Sequence, residues 1–140
     1  MADQDTLHAE VLTPEGKVFE GDVEQLSTRT AVGEIGIQAR HVPVLARLRA
    51  TELRLINGSD VTRFAQAEGW LQVFANRAIV LVGECVPPEE LDTSTLNERL
   101  KDAEQRRDEA EEGSHARERA ERDVERAEAF LEVAGESSQG

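Results

Sequence analysis

The sequence predicts an α+β protein in which an N-terminal β-sandwich, or flattened barrel, precedes a C-terminal antiparallel two-helix hairpin. Two observations carry this prediction. Short apolar runs bounded by turn residues recur through the first half at about ten-residue spacing, without helical segments between them. Beyond the junction Val86-Pro87-Pro88-Glu89 no proline follows, and the apolar period becomes helical. We therefore expect a sandwich domain over 1–88 and a helical domain over 89–140.

The first half consists of strand and turn signals. The runs LHAEVL, TPEGKVFEG and DVEQLSTRT are short and rich in residues that suit a pleated surface. The segment ELRLINGSDVTRF predicts a hairpin, since Asn57-Gly58 is a favoured tight turn between alternating apolar residues. The segment EGWLQVFANRAIVLVGE predicts another hairpin, with Leu71 and Val73 alternating, Ala75-Asn76-Arg77 turning, and the run Ala78 to Val82 dense enough to be a buried strand.

The second half predicts two helices joined by a very short turn. Thr95 with Glu98 matches a capping box, so we expect a first helix from Leu96 to Glu112. Gly113 is suited to end that helix, and Ser114 is suited to cap the next one. The second helix is expected from about His115 to Ala134, and the small polar tail, about 135–140, is expected to be disordered.

Each predicted helix carries a narrow apolar stripe rich in alanine, and the two stripes are expected to face each other. Alanine buries little area, and at about 25 cal/mol per Å² such a seam stabilises weakly. The hairpin is therefore expected to detach easily. The stripes comprise Leu96, Leu100, Ala103 and Ala110 on the first helix, and Ala116, Ala120, Val124, Ala127, Leu131 and Ala134 on the second.

Composition excludes several classes of function. The net charge of −13 argues against binding to nucleic acid, which requires a basic surface. The one cysteine, Cys85, cannot form an intrachain disulfide and is expected to be a small residue near the end of a strand. No run approaches the roughly 18 apolar residues of a membrane helix, and the first residues lack the features of a signal peptide, so we expect a cytosolic or peripheral protein.

No catalytic or metal-binding pattern stands out. His8, His41 and His115 lack the spacing of metal ligands, and both phosphate-binding glycine motifs are absent. The chain is therefore interpreted as non-enzymatic. The loop GEIGIQARHVPVLARLR, from Gly33 to Arg49, combines apolar and charged residues without a clean period, which favours a surface for another protein. The alternative is that its apolar residues fold back into the core.

Three segments together resemble the epsilon subunit of bacterial F-type ATP synthases, the counterpart of the mitochondrial delta subunit. They are TPEGKVFEGDVEQLSTRTAVGEIGIQARHVPVLARL, then AQAEGWLQVFANRAIVLVGECV, and then the helical hairpin after a Pro-Glu-rich junction. The resemblance implies a ten-stranded sandwich with a mobile two-helix domain. It implies a non-catalytic rotor subunit of the central stalk, which couples the catalytic head to the proton-translocating ring. The subunit would be peripheral on the cytoplasmic face of the bacterial inner membrane.

The resemblance also implies partners and contact residues. The sandwich would bind the gamma subunit and the ring of c subunits, whereas the helices, when extended, would reach the beta subunit and inhibit ATP hydrolysis. The implied contacts with the c ring and gamma are Glu34, Ile35, Gly36, Ile37, Arg40, His41, Val42 and Pro43. The implied contacts with beta are Arg117, Arg119, Arg122 and Arg126.

Some relatives bind ATP through an [IL]DxxRA motif and two arginines on the second helix, and this sequence departs from that pattern. Leu91, Asp92 and Arg126 match, but Thr95 stands in place of the motif's arginine and Phe130 in place of the other helical arginine. No cofactor is therefore expected. A free-standing β-domain that senses a nucleotide or another ligand through a mobile hairpin is the alternative function, and complex formation with gamma discriminates between the two.

Overall fold

The computed structural model of the chain describes residues 5–139, with side chains described through Gly135. Ten strands are followed by a short 3-10 turn, Pro88–Glu90, and two helices. The strands are β1 Leu7–Thr13, β2 Gly16–Val23, β3 Gln25–Thr30, β4 Gly33–Gln38, β5 Val44–Leu48, β6 Thr51–Asn57, β7 Asp60–Gln66, β8 Gly69–Phe74, β9 Arg77–Val82 and β10 Cys85–Val86. The helices are α1 Thr93–Glu109 and α2 His115–Gln139.

All ten strands form one continuous sheet that folds over itself as a barrel-like sandwich. The strand order is β10-β7-β6-β3-β5-β8-β9-β1-β2, with β4 paired to the side of β3. The pairs are antiparallel except for β1 with β9, which run parallel. The predicted fold class, a sandwich of about ten strands followed by a helical hairpin, is confirmed.

The sandwich interior is built by alternation along most of the strands, whereas β7 buries three consecutive residues, Phe64, Ala65 and Gln66. Leu53 and Leu55 on β6 and Leu71 and Val73 on β8 are buried. The predicted alternation on β8 is confirmed, since Trp70, Gln72 and Phe74 are exposed. The β6–β7 turn lies one residue later than predicted, since Asn57 pairs with Asp60 as the last pair of the ladder. The buried cluster comprises Leu7, Ala9, Val11, Val23, Leu26, Ile37, Leu48, Leu53, Leu55, Phe64, Leu71, Val73, Ala78, Val80 and Val82.

The first helix begins and ends three residues earlier than predicted. Asp92, not Thr95, is the N-cap, because its carboxylate accepts hydrogen bonds from the backbone N–H groups of Ser94 and Thr95 at 3.0 and 3.4 Å. Thr95 donates its own hydroxyl to Asp92 at 3.1 Å. Gly113 has φ of 80° but lies in the turn between the helices, not at the end of α1.

Ser114 caps the second helix as predicted, since its hydroxyl accepts the N–H of Arg117 at 3.2 Å. The helix continues beyond Ala134 to Gln139, so the tail expected to be disordered is helical as far as it is described, and Gly140 lies outside the described residues. Within the described residues, neither helix is both long and apolar enough to cross a membrane.

The hairpin packs on the sandwich through a small apolar cluster that is separate from the sandwich interior. This second cluster consists of Ala65, Ala67, Leu96, Phe130 and Val133. Of the predicted seam, Ala103, Ala120, Val124, Ala127 and Ala134 are buried, whereas Ala116 is exposed in the first turn of α2. Phe130, which the sequence analysis noted only as a replacement for an arginine, is 1% exposed and is the largest buried side chain in this cluster.

Candidate partner-binding surfaces

The predicted contact loop is partly a regular strand. Along β4, Glu34 and Gly36 are exposed, Ile35 is half-buried against the core, and Ile37 is fully buried. Glu34 lies 3.5 Å from the guanidinium of Arg29 on the neighbouring strand. The prediction that Ile37 is a contact residue is wrong for its side chain, because strand alternation directs it into the sandwich interior.

The segment between β4 and β5 is held by one side chain from a distant turn. The backbone N–H of Arg40, a residue with φ of 63°, donates to Oδ1 of Asn76 at 2.8 Å. The Nδ2 of Asn76 donates to the carbonyl oxygen of Thr6 at 3.0 Å. Asn76 therefore joins residues 39–43, the β8–β9 turn and the start of β1. The guanidinium of Arg40 lies 4.0 Å from Asp5.

The remaining predicted loop residues form an exposed apolar tip. Val42 is 69% exposed, and Pro43 beside it is exposed as well. His41 is half-buried; its backbone N–H donates to the Gln38 carbonyl oxygen at 3.2 Å, and its Nδ1–H donates to that of Val42 at 2.8 Å. These bonds hold His41 against the backbone of the tip, while Val42 and Pro43 stay exposed.

The outer face of β5, β8 and β9 carries exposed apolar residues among polar ones, and it was not predicted as a functional surface. Ladder pairing places Arg47 opposite Trp70 and Trp70 opposite Leu81, so their side chains share one face. Four large apolar residues on this face are substantially exposed: Leu45, Trp70, Phe74 and Leu81. We call these four residues the outer apolar face. The signal was available in WLQVF, because alternation puts Trp70 and Phe74 on the face opposite to Leu71 and Val73.

The outer apolar face adjoins the exposed tip. Val44, which follows Pro43, pairs with Val73 on β8, and Phe74 immediately precedes the turn that carries Asn76. Because Asn76 holds the backbone of Arg40, the tip and the face are fixed relative to each other. The tip adjoins the Phe74 end of the outer apolar face, whereas Trp70 and Leu81 lie toward the other end of β8.

The four predicted second-helix arginines do not act as one group in this conformation. Arg117 donates to the carbonyl oxygens of Arg107 and Ala110 at 3.2 and 3.3 Å, where it stabilises the C-terminal end of α1. Arg119 and Arg122 are exposed. Arg126 is turned toward the sandwich and forms ion pairs there with Glu68 and Glu84.

The residues matched to a nucleotide motif have structural partners. Leu91 is half-buried and packs against the second apolar cluster. Asp92 caps α1, and the hydrogen bonds from Thr95 and Ser94 hold the pKa of its carboxyl below the ordinary value. Arg126 is paired with carboxylates of the sandwich.

One cluster of potential metal ligands forms across strands, which spacing along the chain did not indicate. His8, Glu10 and Glu20 place ligand atoms within 4.8 Å of one another. His8 is bonded to Glu20 at 2.7 Å, while Glu10 and Glu20 are also held by Arg77 and Lys17. The cluster is a charge-balanced surface ion-pair network.

Cys85 lies in the two-residue strand β10, as expected for a small residue near a strand end. Burial raises the pKa of its thiol to about 12. The thiol is therefore protonated and unreactive at neutral pH.

The sequence matches known proteins along most of its length. The model of the ATP synthase delta/epsilon chain β-sandwich domain matches residues 6–88. The ATP synthase epsilon chain of Halalkalibacterium halodurans is 37% identical over 130 residues, which cover 93% of this chain and 98% of the relative. That of Persephonella marina is 39% identical over 128 residues, which cover 90% of this chain and 94% of the relative.

Two solved structures share the fold at low sequence identity. A chain of the Euglena gracilis mitochondrial ATP synthase, in a structure of OSCP, F1 and the c ring, superposes with a TM-score of 0.76 at 20% identity, covering 97% of this chain and 82% of that chain. A chain of the central stalk and c ring of the Tetrahymena thermophila mitochondrial ATP synthase gives 0.61 at 17% identity, covering 91% and 95%. Both matches extend over sandwich and helices together.

Proposed function

Since the chain belongs to the ATP synthase delta/epsilon family and is a non-catalytic epsilon subunit of the central stalk, we propose that its outer apolar face binds gamma. The adjoining tip, with Glu34, contacts the polar loops of the c ring. The subunit associates peripherally with the membrane through the complex. Its position on the cytoplasmic face belongs to the same proposal.

The observation that carries the gamma assignment is the outer apolar face itself. Leu45, Trp70, Phe74 and Leu81 are 73%, 45%, 64% and 44% exposed on three adjacent strands. Large apolar residues gathered on one face of a soluble protein mark a protein interface, and aromatic residues are enriched at the centres of such interfaces. The strands beneath are fixed by the sandwich core, so the face is preorganised for a partner.

The c-ring assignment is supported by the composition of the tip. Val42 and Pro43 supply exposed apolar area, Arg40 supplies a positive charge close to them in sequence, and Glu34, at the opposite end of β4, supplies a negative charge. Apolar contact area stabilises an interface, and charged residues near it fix the register and orientation of the two proteins. A rotor part that transmits torque requires both, because an interface without register would slip.

The hairpin is the inhibitory element of the proposal. Arg119 and Arg122 are already exposed, whereas Arg126 becomes available to an acidic segment of beta only after α2 leaves the sandwich. The apolar cluster beneath α2 is small, so few large side chains become exposed to water when α2 leaves the sandwich. The free-energy difference between the docked and the detached hairpin is therefore small enough for a partner to shift.

The assembled enzyme tests both halves of the proposal. Removal of residues after Pro88 is expected to leave rotor assembly and coupling intact and to increase ATP hydrolysis. Unchanged hydrolysis would leave only the structural role of the sandwich.

A Val42→Asp variant is expected to weaken coupling to the c ring without weakening gamma binding. An Arg40→Ala variant that assembles and couples as the parent does would show that Arg40 makes no essential contact with the ring or with gamma.

A further inference from the structure

Arg126 on α2 is held between two carboxylates of the sandwich. Its Nη2 and Nε donate to the two oxygens of Glu68 at 2.7 and 3.3 Å, so the pair is bidentate. Its Nη1 lies 3.7 Å from Glu84. Glu68 lies in the β7–β8 connection and Glu84 in the β9–β10 connection, so one arginine joins two separate loops to the helix.

The pair is partly shielded from water. The side chains of Arg126, Glu68 and Glu84 are 29%, 34% and 30% exposed. Burial is the largest single influence on Glu68 and acts to raise its pKa, but the hydrogen bonds from Arg126 and the backbone, together with the charges of Arg126 and Arg122, outweigh burial and lower the pKa. Glu68 is therefore ionised at neutral pH, and the attraction is stronger than that of a fully exposed pair.

Two further ion pairs join the hairpin to the sandwich on either side of Arg126. Arg49, between β5 and β6, donates from Nε to Glu125 of α2 at 2.7 Å. Arg99 of α1 lies 3.6 Å from the same Glu84 that Arg126 approaches. Beneath these pairs lies only the second apolar cluster, in which Phe130 and Leu96 are the large buried residues and alanines supply much of the opposing surface. The ion pairs therefore contribute a large share of the free energy that holds the hairpin on the sandwich.

We propose that Glu68 and Glu84 form an ionic latch on Arg126 that holds the hairpin against the sandwich without any bound ligand. Because the guanidinium is already neutralised by the chain's own carboxylates, docking requires no external anion. The latch opens with rising ionic strength, since salt screens partly exposed ion pairs.

The latch also controls a residue of the proposed inhibitory surface. Arg126 cannot approach another protein while it is paired with Glu68, so opening the latch and freeing Arg126 are the same event. This regulatory consequence rests on the proposed function. The latch itself does not, because it is a property of the isolated chain and is measured there.

Docking can be measured in the isolated full-length chain by the distance between two spin labels. In a Cys85→Ser background, labels are attached through Asp60→Cys at the β6–β7 turn and Glu111→Cys at the turn between the helices, both exposed positions. The ratio of detached to docked hairpin is then recorded for Glu68→Gln, Glu84→Gln and the matched control Glu10→Gln. Glu10 pairs with Arg77 at 2.7 Å within the sandwich and makes none of the described ion pairs with the hairpin.

The expected result is a docked hairpin at low salt without nucleotide, and a detached-to-docked ratio raised roughly five- to tenfold in Glu68→Gln. Glu10→Gln should behave as the parent chain does. Raising the salt from about 0.02 to 0.5 M should raise the ratio in the parent chain and change it less in Glu68→Gln. The charge exchange Glu68→Arg with Arg126→Glu should restore docking that either single change weakens.

Three results would overturn the latch. One is a ratio that neither glutamine variant changes, and another is a charge exchange that fails to rescue docking although circular dichroism shows both helices formed. The third is a hairpin that is detached alone and docks only when Mg-ATP is added. A latch that fails in these measurements leaves gamma binding untouched, and loss of gamma binding leaves the latch untouched, so the two failures are distinguishable.

Discussion

The guanidinium of Arg47 lies over the ring of Trp70, 5.5 Å from its centroid, on the outer face of the sheet. The contact joins neighbouring strands, because Arg47 on β5 and Trp70 on β8 are ladder partners. It fixes the indole in one orientation while 45% of Trp70 stays accessible. An aromatic side chain held in place before a partner arrives loses little entropy on binding, which suits it to the centre of an interface.

Trp70→Ala is therefore expected to weaken binding to gamma by about 2 kcal/mol, or roughly 30-fold in Kd. Titration calorimetry with purified gamma measures this directly. Val61→Ala is the control, because Val61 is 41% exposed on β7, away from the outer apolar face. Equal losses in the two variants, or no loss for Trp70→Ala, would exclude the face as the gamma-binding surface.

Gly69→Ala is expected to destabilise the sandwich by about 3 kcal/mol. A Cβ at Gly69 would lie 2.0 Å from the carbonyl oxygen of Leu81 and 2.8 Å from Cα of Val82, and backbone of a paired strand cannot move aside. Gly21→Ala is the control, since its Cβ would meet only the Phe19 ring at 3.5 Å. Urea unfolding followed by circular dichroism distinguishes them, and equal midpoints would contradict the close approach.

His8 is expected to make stability depend on pH. Hydrogen bonds to Glu20 and Asp22 raise the pKa of its imidazole above 6.5, because they favour the charged form. A group with a raised folded pKa contributes stability that is fully present below the unfolded pKa and is lost as pH rises through the folded value.

Replacement His8→Gln should therefore flatten the decline in urea midpoint that the parent chain shows between about pH 6 and pH 8.5. His115→Gln, at the exposed first turn of α2, should leave the decline as it is. A decline of the same slope in His8→Gln would show that other groups cause it.

Much of this structure could be predicted from local signals, and the errors have physical causes. The β8–β9 hairpin followed from alternation in WLQVF, because period-two burial is a property of one strand. The cap of α1 was misassigned because Asp92, Thr93, Ser94 and Thr95 are all capping residue types, and only the fold shows which carboxylate meets two free N–H groups.

Features that depend on residues distant in sequence could not be predicted from local sequence patterns. The bridge made by Asn76 joins it to Arg40 and Thr6, and the cluster of His8 with Glu20 forms only when β1 pairs with β2. Ile37 was assigned to the contact surface through the family resemblance, although strand alternation buries its side chain. Arg126 gave no local signal for its partners, since Glu68 precedes it by many residues and belongs to the other domain.

Phe130→Ala is expected to release the hairpin without unfolding the sandwich. Phe130 is 1% exposed in the second apolar cluster, and its truncation removes about 3 to 5 kcal/mol of packing. The sandwich interior is a separate cluster, so its amides should keep their protection from hydrogen exchange while those of α1 and α2 exchange faster. Loss of protection throughout β8 and β9 would show that helices and strands share one cooperative core.

Sedimentation of the purified chain with purified gamma tests most directly whether this chain binds gamma through the outer apolar face, as a stalk subunit would. The parent chain should form a one-to-one complex with gamma at physiological salt, and Leu45→Glu should abolish it while leaving the urea midpoint nearly unchanged, because Leu45 is 73% exposed. A parent chain that stays monomeric beside gamma, or a Leu45→Glu variant that binds as tightly as the parent, would contradict the proposal.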